Sequence, residues 1–375
     1  MGKVQLFLFL LTILSSLSLK ADDKFGAIGR FSVETNYQFG RIIPHNSRFQ
    51  TKVTGFTNSF EASFYKQTLG EKAWQRKLHY PELGGSFVFS HNADQQTFGN
   101  VYMILAVAKF WIVRSKYVDF YVRVGTGLAF TPRHFNPISN PENTVIGSTV
   151  NSADQIRLGL DFKPSPQVHL TLGFNVTHYS NAATQRPNLG VNALAVSFGL
   201  RYFPKLSKDL KYNRSKVPNP LKKNEVMIKF GIAYSEMFAA GGPKYFHYVG
   251  TVNYARYTSI TNKILAGFCG EFGQGEYDYA LLIDKDPKYT PTTRALKFSL
   301  FAGDEIILGR VGLFFIAGGY VFNPAKGIPV YAKLGLNYYF PDFGKNKSTR
   351  FFIGANLKTH FLIAQYYEVS TGIAF

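Results

Sequence analysis

Residues 118–130 of the chain read VDFYVRVGTGLAF, and residues 155–163 read QIRLGLDFK. In both segments large apolar side chains alternate with charged residues or glycine, which is the two-residue period of a β-strand. Residues 330–340 repeat this pattern. A soluble β-sandwich also alternates, but it buries its apolar face in a core. Charges together with glycines on the second face favour a narrow polar lumen, and therefore a transmembrane antiparallel β-barrel.

The composition fits this fold class. The 375 residues are 46% hydrophobic, 16% aromatic and only 17% charged, with a net charge of +19. Disordered chains are poor in aromatic residues and rich in charge, so this class is excluded. The single cysteine excludes a disulfide scaffold and a cysteine-based zinc cluster. The histidines lack ligand spacing. We therefore expect no metal site and no cofactor.

The amino terminus carries the features of a secretory signal peptide, residues 1–21. Lys3 precedes an apolar run of residues 4–14, and Ala21 stands before two aspartates. The run is shorter than the ~20 residues of a transmembrane helix, although an uncleaved anchor is the alternative. A secreted chain can still enter a membrane as a closed barrel. We expect export to the outer membrane of a Gram-negative cell.

Turn signals divide the chain into two halves of about eight strands each. The first β unit is predicted over residues 22–203 and the second over residues 225–375, which ends in Phe375. Outer-membrane barrels commonly have an even strand number and a single sheet, so one barrel of about sixteen strands is favoured over two eight-stranded units. The long segment between the halves argues for two.

The connecting segment, residues 204–224, contains seven Lys and Arg residues and three prolines. Such a composition is typical of a linker. A run of basic residues can also bind nucleic acid, but an exported protein is not expected to be in contact with nucleic acid. We therefore predict a solvated periplasmic linker and no nucleic-acid partner.

A candidate nucleophile and base occur at the end of the strand predicted over residues 168–180. His178 and Ser180 follow the apolar side chains of its outward face, at the outer rim, and Asn192 lies on the outward face of the next strand. Residues two apart stand on one face about 6.6 Å apart along the strand. His and Ser at this spacing suit acyl transfer, in which His removes the Ser proton. A polar rim above the apolar belt is the alternative interpretation.

The motif His178-Tyr179-Ser180-Asn181-Ala182, followed by Pro187-Asn188-x-Gly190, resembles the lipid A 3-O-deacylase family of outer-membrane acyloxyacyl hydrolases. The resemblance covers roughly residues 25–203. It implies that His178 is the general base, that Ser180 is the nucleophile and that Asn188 helps to form the oxyanion hole. Asn181 and Gly190 are the neighbouring motif positions.

The sequence departs from this family at Asn192, where the family has a Glu. An Asn amide oxygen can orient the imidazole, but it cannot stabilise the imidazolium with a full charge. The resemblance thus implies a serine esterase that removes an ester-linked acyl chain from lipid A, the lipid of lipopolysaccharide. The alternatives are a catalytically degenerate structural or porin-like barrel and a phospholipase-type hydrolase. The acyl position and the oligomeric state stay open.

The second half offers weaker candidates. Alternation turns Lys358, His360 and Glu368 inward. A second catalytic site is one interpretation, but buried charges need partners, so we predict a lumenal charge network.

Overall fold

The computed structural model describes residues 30–45, 49, 51–204, 211–220, 222–237, 239–283, 288–325, 327–341, 349–361 and 363–375. The predicted signal peptide and residues 205–210 and 221 of the linker lie outside this part of the chain. Among the described residues, no helix is both long enough and apolar enough to cross a bilayer.

Eight antiparallel strands form a first closed barrel. Neighbours in sequence pair with each other, and β1 pairs with β8, so the sheet has no open edge. The strands are β1 (Phe31–Ile42), β2 (Thr57–Gln67), β3 (Glu82–His91), β4 (Asn100–Val113), β5 (Val118–Phe130), β6 (Val150–Phe162), β7 (Val168–Ser180) and β8 (Val191–Tyr202).

A second closed barrel follows with the same connectivity, and β16 pairs with β9. Its strands are β9 (Asn224–Glu236), β10 (Lys244–Ser259), β11 (Asn262–Gly273), β12 (Leu296–Leu308), β13 (Val311–Phe322), β14 (Val330–Tyr339), β15 (Arg350–His360) and β16 (Ile363–Ala374). Three short helices lie in connections: α1 (Ala73–Lys77), α2 (Gln274–Leu282) and α3 (Pro291–Ala295).

The prediction of an all-β antiparallel barrel fold with about eight strands in each half is confirmed, but the preference for one large barrel is wrong. Tyr37 of β1 stands opposite Phe198 of β8, and Phe230 of β9 stands opposite Thr371 of β16. A single barrel would require β8 to pair with β9 instead. Alternation of apolar and polar side chains along one strand is the same in both arrangements. It therefore does not indicate which strands pair to close the sheet.

Both barrels are apolar outside and polar inside. In β8, Phe198 is 59% exposed whereas the adjacent Ser197 is 1% exposed. In β5, the charged side chain of Arg123 is buried in the lumen while Leu128 faces outward. This is the reverse of a soluble protein, and it suits a barrel whose solvent is lipid.

Ion pairs fill the lumen of the first barrel. Arg157 on β6 contacts Glu61 at 2.6 Å and Glu34 at 3.4 Å, and Lys109 on β4 contacts Glu34 at 2.6 Å. All four side chains are fully buried. Each charge has left water, so its partner offsets the cost of desolvation.

The lumen of the second barrel is filled in the same way. Glu368 pairs with Lys333 at 2.6 Å and with Lys229 at 3.2 Å, and Lys358 pairs with Glu271. The predicted charge network around Lys358 and Glu368 is therefore present. Cavities between the lumenal side chains measure about 30 Å³ here and about 20 Å³ in the first barrel, room for one or two water molecules.

The two barrels stand side by side. Near the outer rim, the Tyr367 hydroxyl on β16 donates to the Ser152 hydroxyl on β6. The backbone N–H of Glu236, at the end of β9, donates to the carbonyl of Ala183 in the β7–β8 loop at 2.8 Å. Linker residue Tyr212 contacts the ring of Tyr80 with centroids 4.7 Å apart. The second barrel therefore borders the connection between β7 and β8.

Replacing Arg157 with Met should destabilise the first barrel by about 3 kcal/mol, because it leaves Glu34 and Glu61 buried with one cation fewer. The urea midpoint of the purified protein in detergent, followed by tryptophan fluorescence, measures this. Arg256→Met, at an exposed position on β10, is the control and should leave the midpoint unchanged. Equal midpoints for the two variants would contradict a structural role for the lumenal network.

Candidate active site

Three adjacent strands bring the predicted site residues together at one end of the first barrel. His178 on β7 stands directly opposite Asn192 on β8 and opposite Asp154 on β6. Ser180 follows two residues later on β7, opposite Ser152. Side chains of directly opposite residues stand on the same face of a sheet. The ladder register therefore places all five side chains on one outward patch.

A hydrogen-bonded chain links Asn192, His178 and Ser180. The His178 Nδ1 atom lies 2.6 Å from Asn192 Oδ1, and its Nε2 atom lies 3.0 Å from Ser180 Oγ. An amide oxygen can only accept, so Nδ1 carries the proton and donates it to Asn192. The Nε2 atom is then free to accept from the Ser180 hydroxyl. This geometry is the one that a nucleophile, a base and an orienting group require.

Ser180 is less accessible than an open rim position would be, since it is only 2% exposed. The carbonyl of Ser180 accepts from the Ser152 hydroxyl at 3.0 Å. Gly190 lies across the pair, and a Cβ atom there would stand 2.7 Å from His178 Cε1 and 3.1 Å from Ser180 Cβ. Gly190 also has φ +75°, which favours glycine. The motif glycine lets the β7–β8 loop cover the pair without displacing the imidazole.

The β7–β8 loop presents an amide donor beside the serine. The Oδ1 atom of Asn188 accepts from the backbone N–H of Asn181 at 2.9 Å, which fixes the orientation of the amide. Its Nδ2 atom is buried and has no hydrogen-bond partner. A buried donor without a partner is costly in a folded protein. Such a donor suits a group that appears only during a reaction, as an oxyanion does.

Asn181, the other predicted asparagine of the loop, makes different contacts from Asn188. Asn181 is buried, and its Nδ2 atom donates to Ser148 Oγ at 2.8 Å and to the Gln185 carbonyl at 2.9 Å. Its side chain thus binds the loop to itself and to the β5–β6 connection. We infer that Asn181 shapes the loop, whereas Asn188 faces the site.

Asp154 is a further polar residue of this patch that was not predicted from the sequence. It is half-buried and flanks His178 on the side opposite Asn192. A signal was present in the sequence, because Asp154 falls on the same face of β6 as Ile156 and Leu158. A carboxylate on a lipid-facing row costs free energy, so its presence there indicates a functional site.

Glu236 of the second barrel was not predicted from the sequence either. The Glu236 carboxylate accepts from the backbone N–H of Arg186, and its carbonyl accepts from Arg186 Nε at 3.0 Å. With the bond to Ala183, three hydrogen bonds bind the β7–β8 loop to the end of β9. Sequence patterns could not show this contact, because it joins two barrels whose packing is not encoded in alternation.

The described residues contain no group of three or more His, Cys, Asp or Glu side chains that could hold a metal ion. The chemistry available at this patch is that of the serine hydroxyl, the imidazole and the amides around them.

Each of the two barrels matches the model of a known protein family. Residues 58–201 match the model of the lipid A 3-O-deacylase (PagL) family, and residues 224–375 match the acyloxyacyl hydrolase C-terminal domain. The resemblance predicted from the motif in the first half is confirmed. The match of the second half was not anticipated from the sequence.

Among solved structures, similar folds include the outer-membrane enzyme PagL, at 15% identity and a TM-score of 0.33, covering 44% of this chain and 97% of that one. Neisserial surface protein A matches at 14% and 0.31, covering 46% and 96%. Ail of Yersinia pestis matches at 13% and 0.24, covering 46% and 99%. No curated protein matches the chain significantly.

Asn188→Ala should lower the turnover of an ester substrate by about 100- to 1,000-fold, because one oxyanion donor is lost. The dissociation constant for the substrate should change much less. Steady-state kinetics with detergent-solubilised protein separates the two. Asn136→Ala, in the outer loop between β5 and β6, is the control and should leave turnover unchanged. Similar losses in binding and turnover would instead indicate that Asn188 only supports the loop.

Proposed function

Because the chain combines a lipid A 3-O-deacylase family domain with an acyloxyacyl hydrolase C-terminal domain, we propose that it is an outer-membrane serine esterase that removes an ester-linked fatty acyl chain from lipid A. The observation that carries this proposal is the Asn192–His178–Ser180 hydrogen-bonded chain beside the unpartnered amide of Asn188. The residue roles are part of the proposal.

In the proposed reaction, His178 Nε2 takes the Ser180 proton while Oγ attacks the ester carbonyl carbon. The carbonyl oxygen becomes an oxyanion that accepts a hydrogen bond from Asn188 Nδ2. The imidazolium then returns its proton to the departing sugar alcohol, which leaves an acyl-enzyme. Water, activated by the same imidazole, hydrolyses this ester and frees Ser180.

The position of the patch supports a lipid substrate. Rows of exposed apolar side chains on β6 and β7, including Leu158 and Phe174, lead along the barrel to His178. An acyl chain lying among lipids would follow these rows, while its ester would lie at the polar rim. The saccharide and phosphates of lipid A would then extend beyond the membrane.

We also propose that Asp154 supplies the negative charge that Asn192 lacks. The two residues flank His178 from opposite sides in the ladder. Asn192 orients the ring by accepting from Nδ1, and Asp154 stabilises the imidazolium through space. Opposite charges attract even when they form no ion pair: at about 8 Å near a protein surface the attraction is about 2 kcal/mol, and about 1.4 kcal/mol changes a rate tenfold.

Ser180→Ala should abolish acyl release and leave a folded barrel, since only one hydroxyl is removed. Mass spectrometry of lipid A from cells that express the wild type or the variant measures this. Ser139→Ala, at an exposed serine in the β5–β6 loop, is the matched control and should process lipid A normally. Full processing by Ser180→Ala would refute the nucleophile, and no processing by the wild type would favour a degenerate barrel.

Asp154→Asn should lower turnover about tenfold in the wild type, because the imidazolium loses its nearby charge. In an Asn192→Glu background, the same change should cost clearly less, since the carboxylate introduced at position 192 would supply the charge. This double-mutant cycle isolates the coupling between the two positions. Asp304→Asn, on the second barrel, is the control. Equal losses in both backgrounds would show that Asp154 does not act through His178.

A further inference from the structure

The outer mouth of the second barrel contains a cavity of about 410 Å³. Ligand sites commonly measure about 300–1,000 Å³ and often occupy the mouths of β-barrels. The ends of β9, β13 and β15 and the starts of β10 and β16 surround the cavity. The β9 end is the one that binds the β7–β8 loop of the first barrel, so the cavity and the candidate active site lie at the same end of the molecule.

The floor of this cavity is closed. His247, which lines it, contacts Glu271 at 3.5 Å, and Glu271 in turn accepts from the Tyr366 hydroxyl at 2.9 Å and pairs with Lys358. These groups lie deeper in the lumen and are buried. The cavity is therefore a blind cup and not the entrance to a pore.

Acidic and basic side chains of the cup are equal in number. Lys297 pairs with Glu276. Arg186 and Glu236 also line the cup, and the side chain of each bonds to the backbone of the other. A ligand with a net charge would upset this balance, so the wall favours a neutral ligand.

The wall offers hydrogen-bond acceptors that lack donors. Asn323 Oδ1 and Gln365 Oε1 are buried atoms with no partner, and both residues line the cup. Beside them, the rings of Tyr320 and His360 lie nearly parallel, 18° apart. Unpaired buried acceptors are matched by ligand hydroxyl groups, and a flat ring surface is matched by the apolar face of a sugar.

We propose that the outer mouth of the second barrel binds a neutral saccharide, the polyhydroxylated part of a glycolipid whose acyl ester is presented to Ser180. This proposal rests on the proposed function for the identity of the glycolipid, but not for the binding of sugar. Arg186 joins the two sites, because it lies in the β7–β8 loop between Asn181 and Asn188 and also lines the cup. The second barrel would thus hold the headgroup while the first barrel cleaves the ester.

The test is binding of a neutral oligosaccharide, prepared from lipopolysaccharide by removal of its acyl chains, phosphates and acidic sugars, to the full-length Ser180→Ala protein. Titration calorimetry measures the affinity without any hydrolysis. The double variant Asn323→Leu/Gln365→Leu should bind about tenfold more weakly or worse, because two acceptors are lost. Gln96→Leu, at an exposed glutamine of the first barrel, should bind like the parent. The heat-induced mobility shift in gels verifies folding of every variant.

A kinetic arm separates this proposal from the proposed function. In protein that retains Ser180, the double variant should raise KM for lipid A that carries its oligosaccharide, and leave kcat and the hydrolysis of lipid A without the oligosaccharide unchanged. Saccharide binding without any Ser180-dependent hydrolysis would support the saccharide site and would contradict the proposed esterase function. Absence of binding by the parent, or equal binding by the parent and the double variant, would overturn the saccharide site.

Discussion

Backbone N–H and C=O groups find no water in a bilayer, so each must bond to a neighbouring strand, and the sheet must close. The resulting ladders bring residues of neighbouring strands opposite one another. In the first barrel, pairing of β7 with β6 and β8 places His178 between Asn192 and Asp154, and it places Ser180 opposite Ser152. The geometry of the candidate site thus follows from strand pairing, because the register decides which side chains share a face. A slip of one residue would turn these groups into the lumen.

Much of this arrangement was predictable from the sequence. Alternation around residues 118–130 indicated the barrel and the polar lumen, and the spacing of His178 and Ser180 placed them on one face. The strand pairs that close each sheet were not predictable, because the alternation of side chains in β8 is the same whether β8 pairs with β1 or with β9. Contacts between the barrels, such as Glu236 with Arg186, join surfaces that no local pattern relates. Asp154 could have been found as a carboxylate on an apolar row.

The site differs from an open polar rim in how it is enclosed. Gly190 lies over the imidazole, and the end of β9 holds the loop that carries Asn188. Enclosure strengthens electrostatic interactions, so a charge beside His178 counts for more than it would in water. Under the proposed mechanism, the Asp154 carboxylate on the other side of the ring would offset the missing charge of Asn192. The second barrel contributes to this setting without supplying any member of the hydrogen-bonded chain.

Each sheet is closed on its own first and last strands, so no ladder hydrogen bond connects the halves in the described part of the chain. A closed sheet unfolds cooperatively, because separating any two neighbouring strands leaves the backbone groups along both strands unpaired. The molecule contains two such sheets joined by a few rim contacts and the linker. We therefore expect denaturation in two transitions, one for each barrel. Calorimetry of the intact chain would resolve them as separate components.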